Sequence, residues 1–321
     1  MVKMKITAIA HPMQALLKYH GLKDWELRIP FHDSISVNIN ALWTRTTVEF
    51  GDFEQDIMIM NGARVTGHKR CLAVVNRMRE LAGIEDDVRV ESENSISYDE
   101  AKGLGFSSSG GAALAAALFK ASNLDEKYGW DLKLISRMAR RLAGSAARSV
   151  VGEYARLYAG DDESSYAEKI ATKADLDMRM VIVPISSDIR TEEAHYDVMT
   201  SPFLAARIKS ACVRVEEMEA AIKDGDLEKV AMLAEIDSLE LHGLTMTGKH
   251  GLVAYKPESI AVMSEIRRMR QDGMEAYFSM QTGPSVFINT YPECVQDVKE
   301  RIESLGLRTI LAGVGGEVKI V

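Results

Sequence analysis

The stretch Gly103-Leu104-Gly105-Phe106-Ser107-Ser108-Ser109-Gly110-Gly111 is the strongest local chemical signal in the chain. Glycines let a backbone approach a ligand and hydroxyls donate hydrogen bonds. A helix N-terminus adds free N–H groups and the positive end of its dipole. The stretch follows an expected strand and opens an expected helix. Gly105, Ser107, Ser108, Ser109, Gly110 and Gly111 therefore read as a cradle for a phosphate or carboxylate, or as a tight strand-to-helix turn with serine caps. A Walker A loop needs Gly-Lys-Ser/Thr, which is absent, and the glycine spacing is not that of a dinucleotide site.

Three other segments carry charge in suggestive places. Ser145-Ala146-Ala147-Arg148-Ser149 is helix-like and small, so Arg148 is either a two-pronged carboxylate ligand or a surface arginine snorkelling outward. Lys18 follows Ala15-Leu16-Leu17 and ends Lys18-Tyr19-His20-Gly21; its plain alternative is a solvated strand end. Asp237 lies in the helix-like Ala234 to His242, where a solvated face is the simpler expectation, with His242 a core histidine.

These groups need elements to position them. Alternation at Ile35 to Ile39 and Thr46 to Phe50 predicts strands, and Ile57 to Met60 before Asn61-Gly62 predicts a hairpin. Val88 to Ser97, Met178 to Val183, Tyr277 to Phe278, Val286 to Thr290 and Arg308 to Leu311 also read as strands. Helical spacing covers Cys71 to Leu81, Ala112 to Ala121, Leu132 to Ser149, Ser201 to Lys223, Leu227 to His242, Ile260 to Asp272 and Val295 to Leu305. Ala112 to Ala121 is apolar all round and should be buried. The mixed order predicts an α+β fold with a boundary near Pro184 to Ser201 and a cleft between halves.

Composition bounds the partners. The chain has 321 residues, 46% hydrophobic and 27% charged, with net charge −8. That is enough for a full core and argues against a general nucleic-acid or anionic-membrane binder. No apolar run is long enough to span a bilayer. The N-terminus shows no signal-peptide pattern, so a cytoplasmic location is expected. Cys71, Cys212 and Cys294 form no CxxC pair and are expected to be reduced, small, buried or half-buried hydrophobes. No His or Cys spacing suggests a structural zinc site, and no metal ligand is assigned.

Taken in order, the segments resemble the decarboxylase branch of the superfamily containing galactokinase, homoserine kinase, mevalonate kinase and phosphomevalonate kinase. They are Ala10 to Gly21; His32-Asp33-Ser34-Ile35-Ser36-Val37; the Gly/Ser stretch; Gly144 to Ser149; Thr191 with Thr200-Ser201-Pro202; Asp237-Ser238 with His242; and Tyr277-Phe278 with Gly283-Pro284-Ser285. The chain is similar to diphosphomevalonate decarboxylases and to archaeal phosphomevalonate and mevalonate 3,5-bisphosphate decarboxylases. The resemblance implies two lobes, residues 1–187 like ribosomal protein S5 domain 2 and residues 188–321 ferredoxin-like.

It also implies roles. Arg148 would hold the substrate carboxylate and Lys18 would lie near C3 and its phosphate. Tyr19 and Ser145 would position substrate. Ser107, Ser108 and Ser109 would face the transferred or leaving phosphate, and Arg190 and Thr191 the distal one. Where the family has an acidic residue before the Gly-Pro turn, this chain reads Gln281-Thr282, and an amide cannot act as a base. Asp99 and Glu100 add negative charge where the family is neutral, which disfavours a nucleotide. The expectation is elimination of 3-phosphate and CO2 from mevalonate 3,5-bisphosphate to give isopentenyl phosphate, with no cofactor. The alternatives are an ATP- and Mg2+-dependent phosphomevalonate or diphosphomevalonate decarboxylase, a mevalonate 3-kinase, or a non-catalytic ligand sensor. A homodimer is expected from the resemblance.

Overall fold

The computed structural model describes residues 5–66, 68–97 and 103–321. Asp99 and Glu100 lie outside the described residues. The elements run β1 (Lys5–Ala10), β2 (Met13–Leu17), β3 (Ser34–Asn38), β4 (Thr44–Gly51), β5 (Ile57–Met60), β6 (Ala63–Arg64), α1 (Lys69–Ala82), β7 (Asp87–Asn94), α2 (Phe106–Ala121), α3 (Leu124–Tyr128), α4 (Leu132–Leu142) and α5 (Gly144–Val151). There follow β8 (Tyr154–Leu157), β9 (Ala167–Ala171), β10 (Arg179–Val183), α6 (Thr191–Asp197), α7 (Leu204–Lys223), α8 (Leu227–Thr247), α9 (Pro257–Gln271), β11 (Ala276–Met280), β12 (Val286–Thr290), α10 (Val295–Glu303), β13 (Ile310–Gly313) and β14 (Lys319–Ile320). This mixed order is the α+β arrangement expected. Among the described residues no helix is long and apolar enough to cross a membrane.

Among the described residues there are three sheets: a six-stranded one in the order β14-β1-β4-β7-β5-β6, and four-stranded ones in the orders β2-β3-β8-β9 and β11-β12-β10-β13. The Asn61-Gly62 hairpin forms as expected. Both residues adopt positive φ, 48° and 80°, which lets Met60 pair with Ala63. One core lies between the six-stranded sheet and α1, α2, α4 and α5. A second packs α7 and α8 against β3 and one face of the β11-β12-β10-β13 sheet, and a third packs α9 and α10 on its other face. Strand β10 precedes residue 187 yet pairs with β12 and β13, and β14 returns to β1.

Two expectations need correction. The helix expected over Leu132 to Ser149 is broken: Ala143 is extended, at φ −155° and ψ 133°, and the chain restarts as α5. The break sets Gly144 beneath Tyr19, where a Cβ would stand 2.2 Å from the phenol oxygen. Cys212 is exposed rather than buried, while Cys71 and Cys294 are half-buried. Helix α2 begins at Phe106, so the serines lie in its first turns, and it is buried without a break from Gly111 to Phe119.

Candidate functional site

The segment from Met13 to Gly21 is the spine of the site. At its start, the Met13 N–H donates to Ser108 Oγ at 3.2 Å, and the Met13 sulfur lies 3.7 Å from the Arg148 guanidinium. The Gly/Ser stretch and Arg148 therefore share a neighbour. Helices α2 and α5 touch as closely as their residues allow: a Cβ on Gly111 would stand 2.6 Å from Ala146 Cβ.

Arg148 is buried, at 1% exposure, so the surface alternative fails. It donates to the Ser34 hydroxyl, and its guanidinium carbon lies 5.7 Å from the centre of the Tyr19 ring. Its Nε has no hydrogen-bond partner, and no carboxylate pairs with it among the described residues. Burial lowers its pKa to about 10. The buried hydroxyls of Ser36, two residues from Ser34 on the same strand face, and of Ser149 also lack partners. An uncompensated buried cation is costly. A ligand carboxylate would complete this one.

Lys18 is also buried, at 3% exposure, so it is not a solvated strand end. Its ammonium donates to Ser238 Oγ and Ser279 Oγ, each at 3.2 Å, and lies 3.6 Å from Asp237 Oδ2. Asp237 is wholly buried, which overturns the solvated helix face expected for it. It also accepts from the Lys18 N–H at 2.9 Å and from Arg207, and Arg207 donates to Lys18 O at 2.8 Å. Burial lowers the Lys18 pKa to about 8, with Arg207 and Arg148 adding and Asp237 opposing. Burial alone would raise the Asp237 carboxyl, but Arg207 and Lys18 hold it below the usual range. It stays an anion and leaves the region with surplus positive charge.

Gln281 closes the middle of the spine. Its Oε1 accepts from the Ala15 N–H at 3.2 Å and its Nε2 donates to Ala15 O at 3.3 Å, so the amide pairs with the β2 backbone as a neighbouring strand would. Thr282 meets His20 Nε2 at 3.3 Å. His20 Nδ1 lies 2.8 Å from Tyr19 O, and burial lowers the His20 pKa to about 4, so its imidazole is neutral near pH 7. His195 of α6 stacks on His20 at 4.7 Å and accepts the Gly21 N–H.

The serines divide. Ser108 Oγ donates to Gly105 O and Ser109 Oγ to Phe106 O, with Thr44 beside Ser109, so both are tied into the helix start. Ser107 is exposed, and nothing lies within 4 Å of a Cβ placed on Gly110. Gly105 caps the helix at φ 79°. Ser145 is half-buried one turn before Arg148. Arg190 and Thr191 are exposed at the start of α6, whose His195 anchors it to the spine.

Comparison with known proteins gives the family. Residues 10–167 match the diphosphomevalonate decarboxylase-like N-terminal domain and residues 190–307 the mevalonate 5-diphosphate decarboxylase C-terminal domain. A phosphomevalonate decarboxylase of Haloferax volcanii is 42% identical over 99% of this chain and 98% of its own. The chain belongs to the diphosphomevalonate decarboxylase family. A mevalonate 3,5-bisphosphate decarboxylase of Thermoplasma acidophilum is 25% identical over 90% of this chain and 71% of its own. The mevalonate diphosphate decarboxylase of Enterococcus faecalis, solved in a study of its ATP binding, superimposes with a TM-score of 0.91 at 28% identity, covering 100% and 99% of the two chains. The chain is thus an enzyme of the decarboxylase type with the fold of the galactokinase and mevalonate kinase superfamily.

In this decarboxylase the sequence reading did not assign Asp237, Ser238, Ser279, Arg207 and His20 to the site. Asp237, Ser238 and His20 stood inside quoted segments. Their signal was a polar residue at the inward position of an apolar helix, or beside an assigned one. Arg207 and Ser279 carry no local signal; only the fold brings them to Lys18.

Proposed function

We propose that this enzyme eliminates phosphate and CO2 from mevalonate 3,5-bisphosphate, without nucleotide or metal, to release isopentenyl phosphate. The buried Arg148, with no carboxylate partner among the described residues, carries the reading, because a planar guanidinium in a dry site is suited to a substrate carboxylate. Lys18, held by Ser238 and Ser279, would stand at the 3-phosphate. The C1–C2 electron pair then forms the C2=C3 double bond as CO2 departs, and the C3–O pair leaves on phosphate. A departing phosphate dianion gains a full further charge unless it takes up a proton, so a fixed ammonium lowers the barrier. Tyr19, Ser145 and Thr282 would position the substrate, with Arg190 and Thr191 towards the 5-phosphate. We further propose two lobes meeting near residue 187, a cytoplasmic location and a homodimer.

Independence from ATP is supported by Gln281, whose amide is occupied by Ala15 where the resemblance calls for a carboxylate. The identity to the Haloferax volcanii enzyme favours a second reading, ATP-dependent decarboxylation of mevalonate 5-phosphate. Ser107 and the open flank of Gly110 at the α2 N-terminus fit a nucleotide phosphate, whose transfer to the 3-oxygen ATP would supply. A 3-kinase leaves the buried Lys18 without a leaving group to assist, and a ligand sensor has no need of groups suited to a leaving phosphate. The test is phosphate and CO2 release from the 3,5-bisphosphate without nucleotide, and from the 5-phosphate with and without Mg-ATP. Turnover of the first supports the proposal; turnover of only the second with ATP replaces it.

A further inference from the structure

Two arginines and one glutamate form a row beside the spine. Arg28 Nη1 is 3.2 Å from Glu192 Oε1, and Arg70 Nη2 is 2.7 Å from Glu192 Oε2. The Glu192 carboxylate, on α6, thus bridges Arg28 and the first turn of α1, one oxygen to each guanidinium. The Arg28 side chain is 8% exposed, that of Glu192 37% and that of Arg70 48%, so the row runs from the interior to solvent. Neither arginine pairs with another carboxylate among the described residues, and two guanidiniums against one carboxylate leave surplus positive charge.

This row adjoins the candidate site. A Cβ on Gly144, which would meet the Tyr19 phenol, would also stand 3.3 Å from Arg28 O. Burial raises the Tyr19 pKa, and Arg148 and then Arg28 oppose the rise, so both guanidiniums act on the same phenol. The His195 ring centre lies 5.6 Å from that of Tyr19. Burial holds the His195 pKa well below its ordinary value, with His20, Arg28 and Arg70 adding. Its imidazole is therefore neutral, and the arginines carry the charge. Arg28 also has φ 57°, uncommon for a residue with a side chain. Backbone of this kind is kept where a ligand is clamped. The bridge between Asp24 and Ile29 holds it, and so does Arg140, which donates to Leu27 O.

We propose that Glu192 limits the substrate to a single phosphate on its 5-oxygen, by standing between Arg28 and Arg70 where a second phosphate would sit. The inference rests on the decarboxylase reading above. With the carboxylate at Arg148 and the 3-phosphate at Lys18, the positive charge left beside Tyr19 is that of this row. One phosphate meets Arg28 from the inner side. A second one would have to enter the place Glu192 holds. If the carboxylate stays, two like charges are forced together; if it swings out, it leaves both its partners and still lies beside a polyanion. Either course disfavours the diphosphate. Glu192 is thus the repulsive element of the site and the two guanidiniums the attractive one.

The test measures binding of mevalonate 5-phosphate and mevalonate 5-diphosphate to the full chain by titration calorimetry, without nucleotide or metal. The wild type should prefer the monophosphate at least about 10-fold, and Glu192→Gln should cut that preference at least about 10-fold, a modest share of what one like-charge contact costs. Glu193→Gln removes the same charge from the exposed neighbouring position and should leave the ratio unchanged. Equal wild-type affinity for the two compounds, binding of neither, a ratio that Glu192→Gln does not move, or one that Glu193→Gln moves as far overturns the assignment. Phosphate release from the 3,5-bisphosphate, assayed alongside without nucleotide, separates the two readings. Release with an unmoved ratio overturns Glu192 alone. The expected ratios without release leave Glu192 standing and overturn the nucleotide-free reaction.

Discussion

Lys18 and Asp237 are joined twice: the Lys18 backbone N–H donates to Oδ2 at 2.9 Å, and the ammonium stands 3.6 Å from the same oxygen. One carboxylate thus fixes both the strand end and the charge it carries. Asp237→Asn keeps the shape and removes the anion shared with Arg207. The expected result is a loss of about 3–5 kcal/mol, the cost of stranding buried charge, read by urea unfolding. An unchanged midpoint would show that Arg207 and Lys18 find other partners.

The Lys18 pKa of about 8 sets a pH dependence. Only the ammonium aids a leaving phosphate, so kcat/KM should fall as pH rises through about 8, the value in the free enzyme. A bound phosphate favours the charged form, so the alkaline limb of kcat should lie higher. In Asp237→Asn the kcat/KM limb should move down, because the attraction that raises the lysine is gone. Stability runs the other way. The unfolded chain holds the Lys18 proton up to its ordinary 10.5 and the folded one only to about 8. This group's contribution to stability therefore grows as pH rises across that window.

Arg148→Lys keeps the charge and loses the two-pronged grip. It should cost at least about 2 kcal/mol of transition-state stabilisation, roughly 30-fold in kcat/KM. Arg148→Met removes a buried cation that has no carboxylate partner among the described residues. It should abolish turnover while making the unliganded fold more stable by on the order of 1 kcal/mol. Near-normal activity in the lysine variant would remove Arg148 from the carboxylate site.

Gln281→Asp restores a carboxylate but cannot donate to Ala15 O. It should cost about 1 kcal/mol through that lost bond and add at most weak ATP-dependent turnover of the 5-phosphate. Release of phosphate from the 3,5-bisphosphate should survive. A large gain in ATP-dependent rate would show that the nucleotide site is intact and that position 281 alone decides its use.

Much of this was legible from local pattern. Period-two alternation placed β3 and β4, the Asn61-Gly62 turn signal placed β5, and the all-apolar α2 announced its burial. Asp237 was not, because α8 has one apolar stripe through Val230, Ala234 and Leu241 and another through Met232, Ile236 and Leu239. Periodicity alone could not say which stripe faced inward. The break at Ala143 was hidden for another reason: the Tyr19 phenol that packs on Gly144 there comes from far away in sequence. Lys18 follows an apolar run like many strand ends, and only the return of α8 and β11 encloses it.

Strand β14 pairs with β1, Ile9 opposite Lys319, and Val318 belongs to the same core as α2. On the ribosome, the first strand therefore emerges long before its edge partner exists. Until Lys319 and Ile320 leave the exit tunnel, β1 keeps a bare hydrogen-bonding edge, the kind of template on which nascent chains associate. Completion of the six-stranded sheet thus waits until β14, some 310 residues after β1 in the chain, has been synthesised.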